Sequence, residues 1–239
     1  MRLFVLTGAG ISAESGMGTF RDAGGIWDEF DPMTLATPEA FAADPERVHA
    51  FYNLRRKNLV EAEPNAAHAA LGRLETELSS ASGTVFLCTQ NIDDLHERGG
   101  SGSVHHMHGE LLKALCQRCG ARMTWVGDMG VGSECEACGE SGGLRPDVVW
   151  FGEIPYSLKM LETELAKSDL FVSIGTSGAV YPASGFVAQA RAQGVRTCEI
   201  NLEPSNNAVV FDERRYGPAT ETVSAWVDEV LDLIRSGWV

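Results

Sequence analysis

Arg2-Leu3-Phe4-Val5-Leu6-Thr7-Gly8-Ala9-Gly10-Ile11-Ser12-Ala13 is the stretch that decides the fold. Leu3–Leu6 is an apolar run of strand length, and it passes directly into a Gly-x-Gly turn. Such a turn at the end of a buried strand lets the backbone approach a pyrophosphate, with a helix N-terminus supplying N–H donors. The pattern falls short of Gly-x-Gly-x-x-Gly because Ala13 takes the last position, and no Lys-Ser/Thr follows for a P-loop. Taken alone, a tight strand–helix turn without a ligand fits these residues equally well.

Further strand-length runs lie at Val85–Cys88, Val148–Phe151, Leu170–Ile174 and Arg196–Ile200. Several lead through small or turn-forming residues into helix-like stretches. That alternation predicts an α/β fold: a Rossmann-like parallel sheet with helices on both faces. Two later strand ends resemble the first in chemistry, Gly175-Thr176-Ser177 and Asn201-Leu202-Glu203. Ligands in such sheets bind outside the carboxyl ends of the strands, so these ends suggest one extended crevice. A fourth end, Cys88-Thr89-Gln90-Asn91-Ile92-Asp93, is followed shortly by His105-His106-Met107-His108-Gly109-Glu110. Amides, a carboxylate and an imidazole at one cleft are the makings of a general-base site. Three histidines in four residues also suit a surface turn or adventitious metal binding.

Two segments break the rhythm. Thr37-Pro38-Glu39 and Asp44-Pro45-Glu46 each read as an N-cap with Pro at the first helical position. Helices are expected from Pro45 to about Glu61 and from Asn65 to Leu78, within a helical insertion over residues 36–79. The second break, Leu115–Leu144, is rich in Cys and Gly and needs something other than a hydrophobic core to hold it. Cys116-Gln117-Arg118-Cys119 and Cys135-Glu136-Ala137-Cys138 are two CxxC knuckles separated by 15 residues, a spacing that suits one zinc ion. Gly120 and Gly139 follow the knuckles and fit tight turns. Four thiolates saturate zinc, so this site would be structural and the chemistry must lie elsewhere. Two redox CxxC pairs are the competing reading, but neither pair opens a helix. Cys88 and Cys198 fall in apolar strand patterns and read as core residues.

The composition narrows the function classes. Of 239 residues, 33 are Asp or Glu and 19 are Lys or Arg, a net charge of −14. So acidic a chain lacks the cations that non-specific nucleic-acid binding requires. With 44% hydrophobic and 22% charged residues it reads as a globular protein able to bury a core without disulfides. The first apolar run is too short for a secretion signal. Phe171 to Ala190 carries no charge, yet Gly, Ser, Thr and Pro interrupt it, making a poor membrane span. Six Cys without a secretion signal suggest a reducing compartment, with cytoplasm as the default.

Taken in order, Gly8-Ala9-Gly10-Ile11-Ser12, Thr19-Phe20-Arg21, Thr89-Gln90-Asn91-Ile92-Asp93, His108-Gly109, the Cys quartet, Val149-Trp150-Phe151-Gly152-Glu153, Gly175-Thr176-Ser177 and Asn201-Leu202 resemble the sirtuins over essentially the whole chain. The resemblance implies one catalytic domain, with a Rossmann-like core (1–35, 80–112 and 145–239), the helical insertion (36–79) and the zinc module (113–144). It implies NAD as co-substrate, one structural Zn2+ and acylated lysines of proteins as substrates, with no nucleic acid or membrane partner and a monomeric state.

In that family the acyl oxygen attacks C1′ of the nicotinamide ribose, and an O-alkylimidate follows. By carry-over, His108 is the general base and Asn91 and Asp93 share in catalysis, Asp93 as a carboxylate near the cationic centre. Gly8, Ala9, Ser12, Phe20 and Arg21 would hold the pyrophosphate and the cofactor loop. Gln90, Asn91 and Asp93 would hold the ribose and nicotinamide side, and Gly175, Ser177, Asn201 and Glu203 the adenosine side. Thr19, Trp27, Ile92, Thr176, Leu202 and Ala219 complete the implied NAD contacts. Val149, Phe151, Gly152 and Glu153 would pair with the substrate peptide as an added strand. Gly18 and Asp22 depart from commoner residues on the loop expected to close over NAD.

Tyr52 and Arg55, at i and i+3, are neighbours on one helix face. In sirtuins that remove succinyl and malonyl groups a Tyr-x-x-Arg pair sits here, and its chemistry suits a carboxylate: a planar guanidinium fork and a hydroxyl donor. Arg56 and Lys57 are then expected to be solvent-facing or backbone-steering charges. The implied activity is removal of succinyl, malonyl and, more weakly, acetyl groups, giving nicotinamide and O-acyl-ADP-ribose. The competing readings are a lysine deacetylase, a protein mono-ADP-ribosyltransferase, and a non-catalytic zinc-ribbon interaction module that retains NAD.

Overall fold

A computed structural model describes residues 1–19 and 31–236; Phe20, Arg21, Asp22 and Trp27 lie outside the described residues. The described strands are β1 (Arg2–Thr7), β2 (Thr84–Thr89), β3 (Val104–His106), β4 (Gly109–Cys116), β5 (Arg122–Thr124), β6 (Leu144–Val148), β7 (Leu170–Ile174), β8 (Arg196–Asn201) and β9 (Glu213–Tyr216). The described α-helices are α1 (Pro38–Ala43), α2 (Pro45–Glu61), α3 (Ala66–Ser80), α4 (Leu95–Arg98), α5 (Leu158–Ala166), α6 (Phe186–Ala192) and α7 (Ala219–Arg235).

Six strands form a parallel sheet in the order β3-β2-β1-β7-β8-β9. The chain builds outward from β1 on one side and then returns to lay β7 on the other. The ends of β1 and β7 are therefore the point where strand order reverses, the place where open α/β sheets form a crevice. Side-chain alternation along each strand feeds two cores. Leu3, Val5 and Val172 pack with Leu71 and Leu74 of α3 and Trp226 and Val227 of α7 on one face. Phe4, Leu6 and Phe171 pack with Leu161 and Leu165 of α5 and Phe186 of α6 on the other.

The expected caps form. Thr37 Oγ1 accepts from Ala40 N, and Asp44 Oδ1 accepts from Arg47 N, both at 3.0 Å. Asn65 caps α3 through Ala67 N at 2.9 Å. Two strand expectations change. Val148–Phe151 is not a strand of the central sheet: β6 ends at Val148 and pairs antiparallel with β4 in a three-stranded sheet, β5-β4-β6. Its apolar residues are buried by a separate core with Val48, Tyr52, Leu59 and Leu111. The turn after β1 leads into two short 3-10 segments, Ala9–Ile11 and Ala13–Ser15, rather than directly into an α-helix.

Of the two roles expected for Arg56, its burial rules out the solvent-facing one. Its Nε donates to Leu111 O at 3.0 Å and its Nη1 to Asn53 Oδ1 at 2.5 Å. Asn53 in turn pairs with Met129 as a strand would, donating from Nδ2 to Met129 O and accepting from Met129 N, both at 2.9 Å. Arg56 is thus consumed in joining α2 to the Cys-rich segment. Lys57 does stay at the surface, 3.2 Å from Asp128. No helix of the described residues is long and apolar enough to cross a membrane.

Candidate active site and structural metal site

A cleft of about 960 Å³ opens at the reversal point between β1 and β7. Its floor needs glycine. Gly8 N donates to Ile174 O and Gly10 N to Gly175 O, both at 2.9 Å, so the turns after β1 and β7 touch backbone to backbone. Gly175 has φ +63, and a Cβ there would lie 2.5 Å from Ile11 N. Side chains at this seam would wedge the two turns apart.

His108 reaches the cleft from the crossing between β3 of the large sheet and β4 of the small one. Gly109 makes that crossing possible, since it has φ +80 and a Cβ there would meet Asp147 O at 2.0 Å. His108 Nδ1 lies 3.0 Å from the Gln90 carbonyl oxygen. A carbonyl only accepts, so Nδ1 carries the proton and Nε2 is left as the basic nitrogen. Burial pushes the His108 pKa below 6.5, although the Gln90 carbonyl pulls it up. The neutral base is therefore the resting form near neutral pH.

Behind the wall lies a closed set of polar groups. Ser12 Oγ donates to Asp93 Oδ2 at 3.1 Å and accepts from Asn91 Nδ2 at 3.1 Å. His68 Nδ1 accepts from Asn65 N, so its Nε2–H is the donor toward Ser12 Oγ at 3.3 Å. Asp93 Oδ1 also accepts from Leu95 N at 3.2 Å. Asn91, Gln90 and Ile92 line the cleft, whereas Ser12 and Asp93 do not. Both are buried, 1% and 5% exposed. They stand one layer back, where burial pushes the Asp93 carboxyl pKa up, and they fix Asn91 and the first turn.

Tyr52 and Arg55 both face the cleft from α2, together with Phe51. Burial pushes the Tyr52 hydroxyl up to about 12, so it is a donor at any physiological pH. Burial likewise pulls the Arg55 pKa down, while Tyr52 and Asp93 raise it. A buried guanidinium whose charge is disfavoured gains from an anionic visitor. Val149, Phe151, Gly152 and Glu153 line the opposite rim. Val149 N donates to His108 O at 2.8 Å and Phe151 N to Ala36 O at 2.9 Å, which ties this rim to the base and to the helical segment. The Glu153 side chain is engaged within the protein. Its carboxylate takes both arms of Arg145, at 2.7 and 2.9 Å, and the Trp150 N–H at 2.8 Å.

The four cysteines gather, their sulfur atoms all within 4.8 Å of one another. The Sγ separations of Cys116–Cys138 and Cys119–Cys135 are 3.9 and 3.8 Å. Zn–S bonds of about 2.3 Å put tetrahedral sulfurs about 3.8 Å apart, so the residues fit one zinc ion.

A model of the Sir2 family matches residues 8–182. The chain belongs to the Sir2 family. It is 58% identical over 231 residues to an NAD-dependent protein deacylase of Caulobacter vibrioides, covering 97% of each chain. It is 49% identical to an NAD-dependent protein deacylase of Escherichia coli, covering 99% of this chain and 84% of the relative. Among solved structures it resembles a Sir2 homologue in complex with NAD, with 36% identity and a TM-score of 0.84 over 100% of this chain and 91% of the other.

On this Sir2 chain the cleft gathers Gly8, Ala9, Thr19, Gln90, Asn91, Ile92, Gly175, Thr176, Ser177, Asn201, Leu202, Glu203 and Ala219. Sequence reasoning missed Phe51, Trp150 and Tyr181, which also line it. Their signal was the position of Phe51 and Trp150 next to residues already singled out; Tyr181 carried none. The module around the metal has few resources of its own. Its buried cluster is Ala114, Cys116, Met129, Cys135 and Leu144, two of which are ligands. Structural zinc contributes folding free energy directly, on the order of 10 kcal/mol in small modules. Chelation, verified by elemental analysis, should therefore abolish activity and the near-UV signal of Trp125, with the far-UV signal of the large sheet largely kept. Full activity without metal would remove the structural role.

Proposed function

We propose that this Sir2 chain is an NAD-dependent protein-lysine deacylase that removes succinyl and malonyl groups in preference to acetyl. The relatives named NAD-dependent protein deacylase support the reaction class. The observation that carries the acyl preference is Tyr52 and Arg55 on the wall of the cleft that holds His108. A carboxylate at the end of a short acyl chain would meet a guanidinium fork and a hydroxyl donor there.

Bound NAD would supply an electrophilic ribose C1′ with nicotinamide as the leaving group. The turn after β1, Thr19 and the Gln90-Asn91-Ile92 end would hold one half of the dinucleotide. The Gly175–Ser177 and Asn201–Glu203 ends and Ala219 would hold the other. His108 Nε2 would take the proton from a ribose hydroxyl, and Asn91, held through Nδ2 by Ser12 Oγ and the Gly8 carbonyl, would orient the reacting side. Val149 to Gly152 offer backbone to the peptide flanking the acyl-lysine. The helical segment 36–79 and the Cys segment 113–144 act as one small lobe against a core of 1–35, 80–112 and 145–239. The same reading expects a monomer that needs neither nucleic acid nor membrane.

Matched acetyl-, malonyl- and succinyl-lysine peptides, each with and without NAD, test the proposal. Turnover should require NAD, yield O-acyl-ADP-ribose by mass, and favour the acidic acyl groups by about tenfold or more, as charge-assisted hydrogen bonds allow. A preference for acetyl would make the chain chiefly a deacetylase. ADP-ribose attached to protein without deacylation would make it a mono-ADP-ribosyltransferase.

A further inference from the structure

The hydroxyl of Tyr52 is not loose in the cleft. Trp150 Nε1–H donates to it at 2.9 Å, and both side chains are buried, 2% and 3% exposed. A phenol oxygen has one proton, which lies near the ring plane. When an indole N–H occupies one side of that oxygen, the tyrosine proton is turned to the other side. A hydroxyl without this partner could swing and offer a lone pair to an incoming carboxylate, which repels it. With the indole in place, it offers the proton.

The indole itself is firmly held. The Arg145 guanidinium carbon stands 3.4 Å from the centroid of the Trp150 ring. Arg145 is locked to the Glu153 carboxylate, which also accepts the Trp150 backbone N–H. Phe41 packs against the indole at 5.2 Å between ring centroids. A chain of contacts thus runs from Glu153 through Arg145 and Trp150 to the Tyr52 hydroxyl. This gives Glu153 a use, although its carboxylate is not free for substrate.

We propose that Trp150 is a positioning residue for acyl specificity: its indole N–H orients the Tyr52 hydroxyl so that the proton points at the distal carboxylate of an acidic acyl-lysine. The inference rests on the proposed carboxylate preference and sharpens it. It differs from the ordinary explanation of a buried Trp–Tyr hydrogen bond, which is that the indole N–H needs an acceptor. A merely structural bond would influence all substrates alike. An orienting bond acts on succinyl- and malonyl-lysine and mainly through KM.

The experiment is a double-mutant cycle on Trp150→Phe and Tyr52→Phe, read as the ratio of kcat/KM for succinyl over acetyl peptide, with the melting temperature of each variant. Trp150→Phe is expected to lower the ratio by about tenfold, mostly as a rise in the succinyl KM. In the Tyr52→Phe background the same change should alter the ratio by less than about twofold, because the hydroxyl it orients is gone. If Trp150→Phe lowers the melting temperature, an isosteric variant with benzothienylalanine at 150 replaces N–H by sulfur and keeps the ring shape. An unchanged ratio in that folded variant, or equal losses in both backgrounds, overturns the positioning role. If Tyr52→Phe alone leaves the ratio at its parent value, the carboxylate reading fails, and this inference with it. A ratio that falls with Tyr52→Phe but not with Trp150→Phe overturns this inference only.

Discussion

His108→Ala is expected to lower NAD-dependent deacylation by about 10²–10⁴-fold, the usual worth of a positioned general base. The fold should survive, because the contacts that set this turn are backbone ones: Val149 N to His108 O and Tyr156 N to Met107 O, both short. The imidazole makes one hydrogen bond that matters, from Nδ1 to the Gln90 carbonyl, and it fixes which nitrogen is basic. The pH profile provides a second reading. Burial lowers the His108 pKa below 6.5 despite the Gln90 carbonyl, and the active form is the neutral one. Activity should hold as pH falls to 6.5 and decline only below it, as the lowered pKa is crossed. Undiminished turnover in His108→Ala, measured on succinyl and acetyl peptides, would remove the general-base assignment.

Arg55→Met is expected to reduce kcat/KM for desuccinylation by about 10²-fold, with a smaller loss on acetyl-lysine. Removing one partner of a buried, hydrogen-bonded charge pair costs about 2–5 kcal/mol, and each 1.4 kcal/mol is tenfold. Met keeps much of the aliphatic bulk beside Phe51, which lies 5.9 Å from the guanidinium carbon. The loss should therefore report charge rather than packing. Steady-state kinetics on paired peptides decide the matter, and equal losses on both acyl groups would sink the carboxylate clamp.

Much of the large sheet was legible because its central strands are buried on both faces and read as continuous apolar runs. Leu3–Leu6, Val85–Cys88 and Leu170–Ile174 fall inside strands of that sheet, and so does the less apolar Arg196–Ile200. The edges were not legible. Glu213–Tyr216 reads Glu-Arg-Arg-Tyr and carries no apolar signal, as suits an exposed edge. Val104–His106 is three residues long and hidden among histidines. Val148–Phe151 misled for the opposite reason: it is apolar, but the core it serves is the separate one with Val48, Tyr52 and Leu111. Spacing alone sufficed for the metal site, because a CxxC pair is a local geometry. The strand-end rule gathered Gly8, Gly175 and Asn201 into one crevice, whereas Thr19 and Ala219 rested on the family pattern. Depth behind the wall was the least legible property. Ser12 and Asp93 sit in the motifs that line the site, and their side chains are buried in a polar cluster with Asn91 and His68.

Helix α2 has one further consequence. Two pairs, each three residues apart, occupy the same turn: Tyr52 with Arg55, and Asn53 with Arg56. The first pair faces the cleft, and the second is bonded to Met129 and Leu111. On the proposed reading, acyl choice and the anchoring of α2 rest on different residues, although Tyr52 also belongs to the core with Val48 and Leu59. A lineage could exchange its preferred acyl group by rewriting 52 and 55 while 53 and 56 kept the lobe assembled. Drift at 53 or 56 would instead loosen the scaffold beneath any preference.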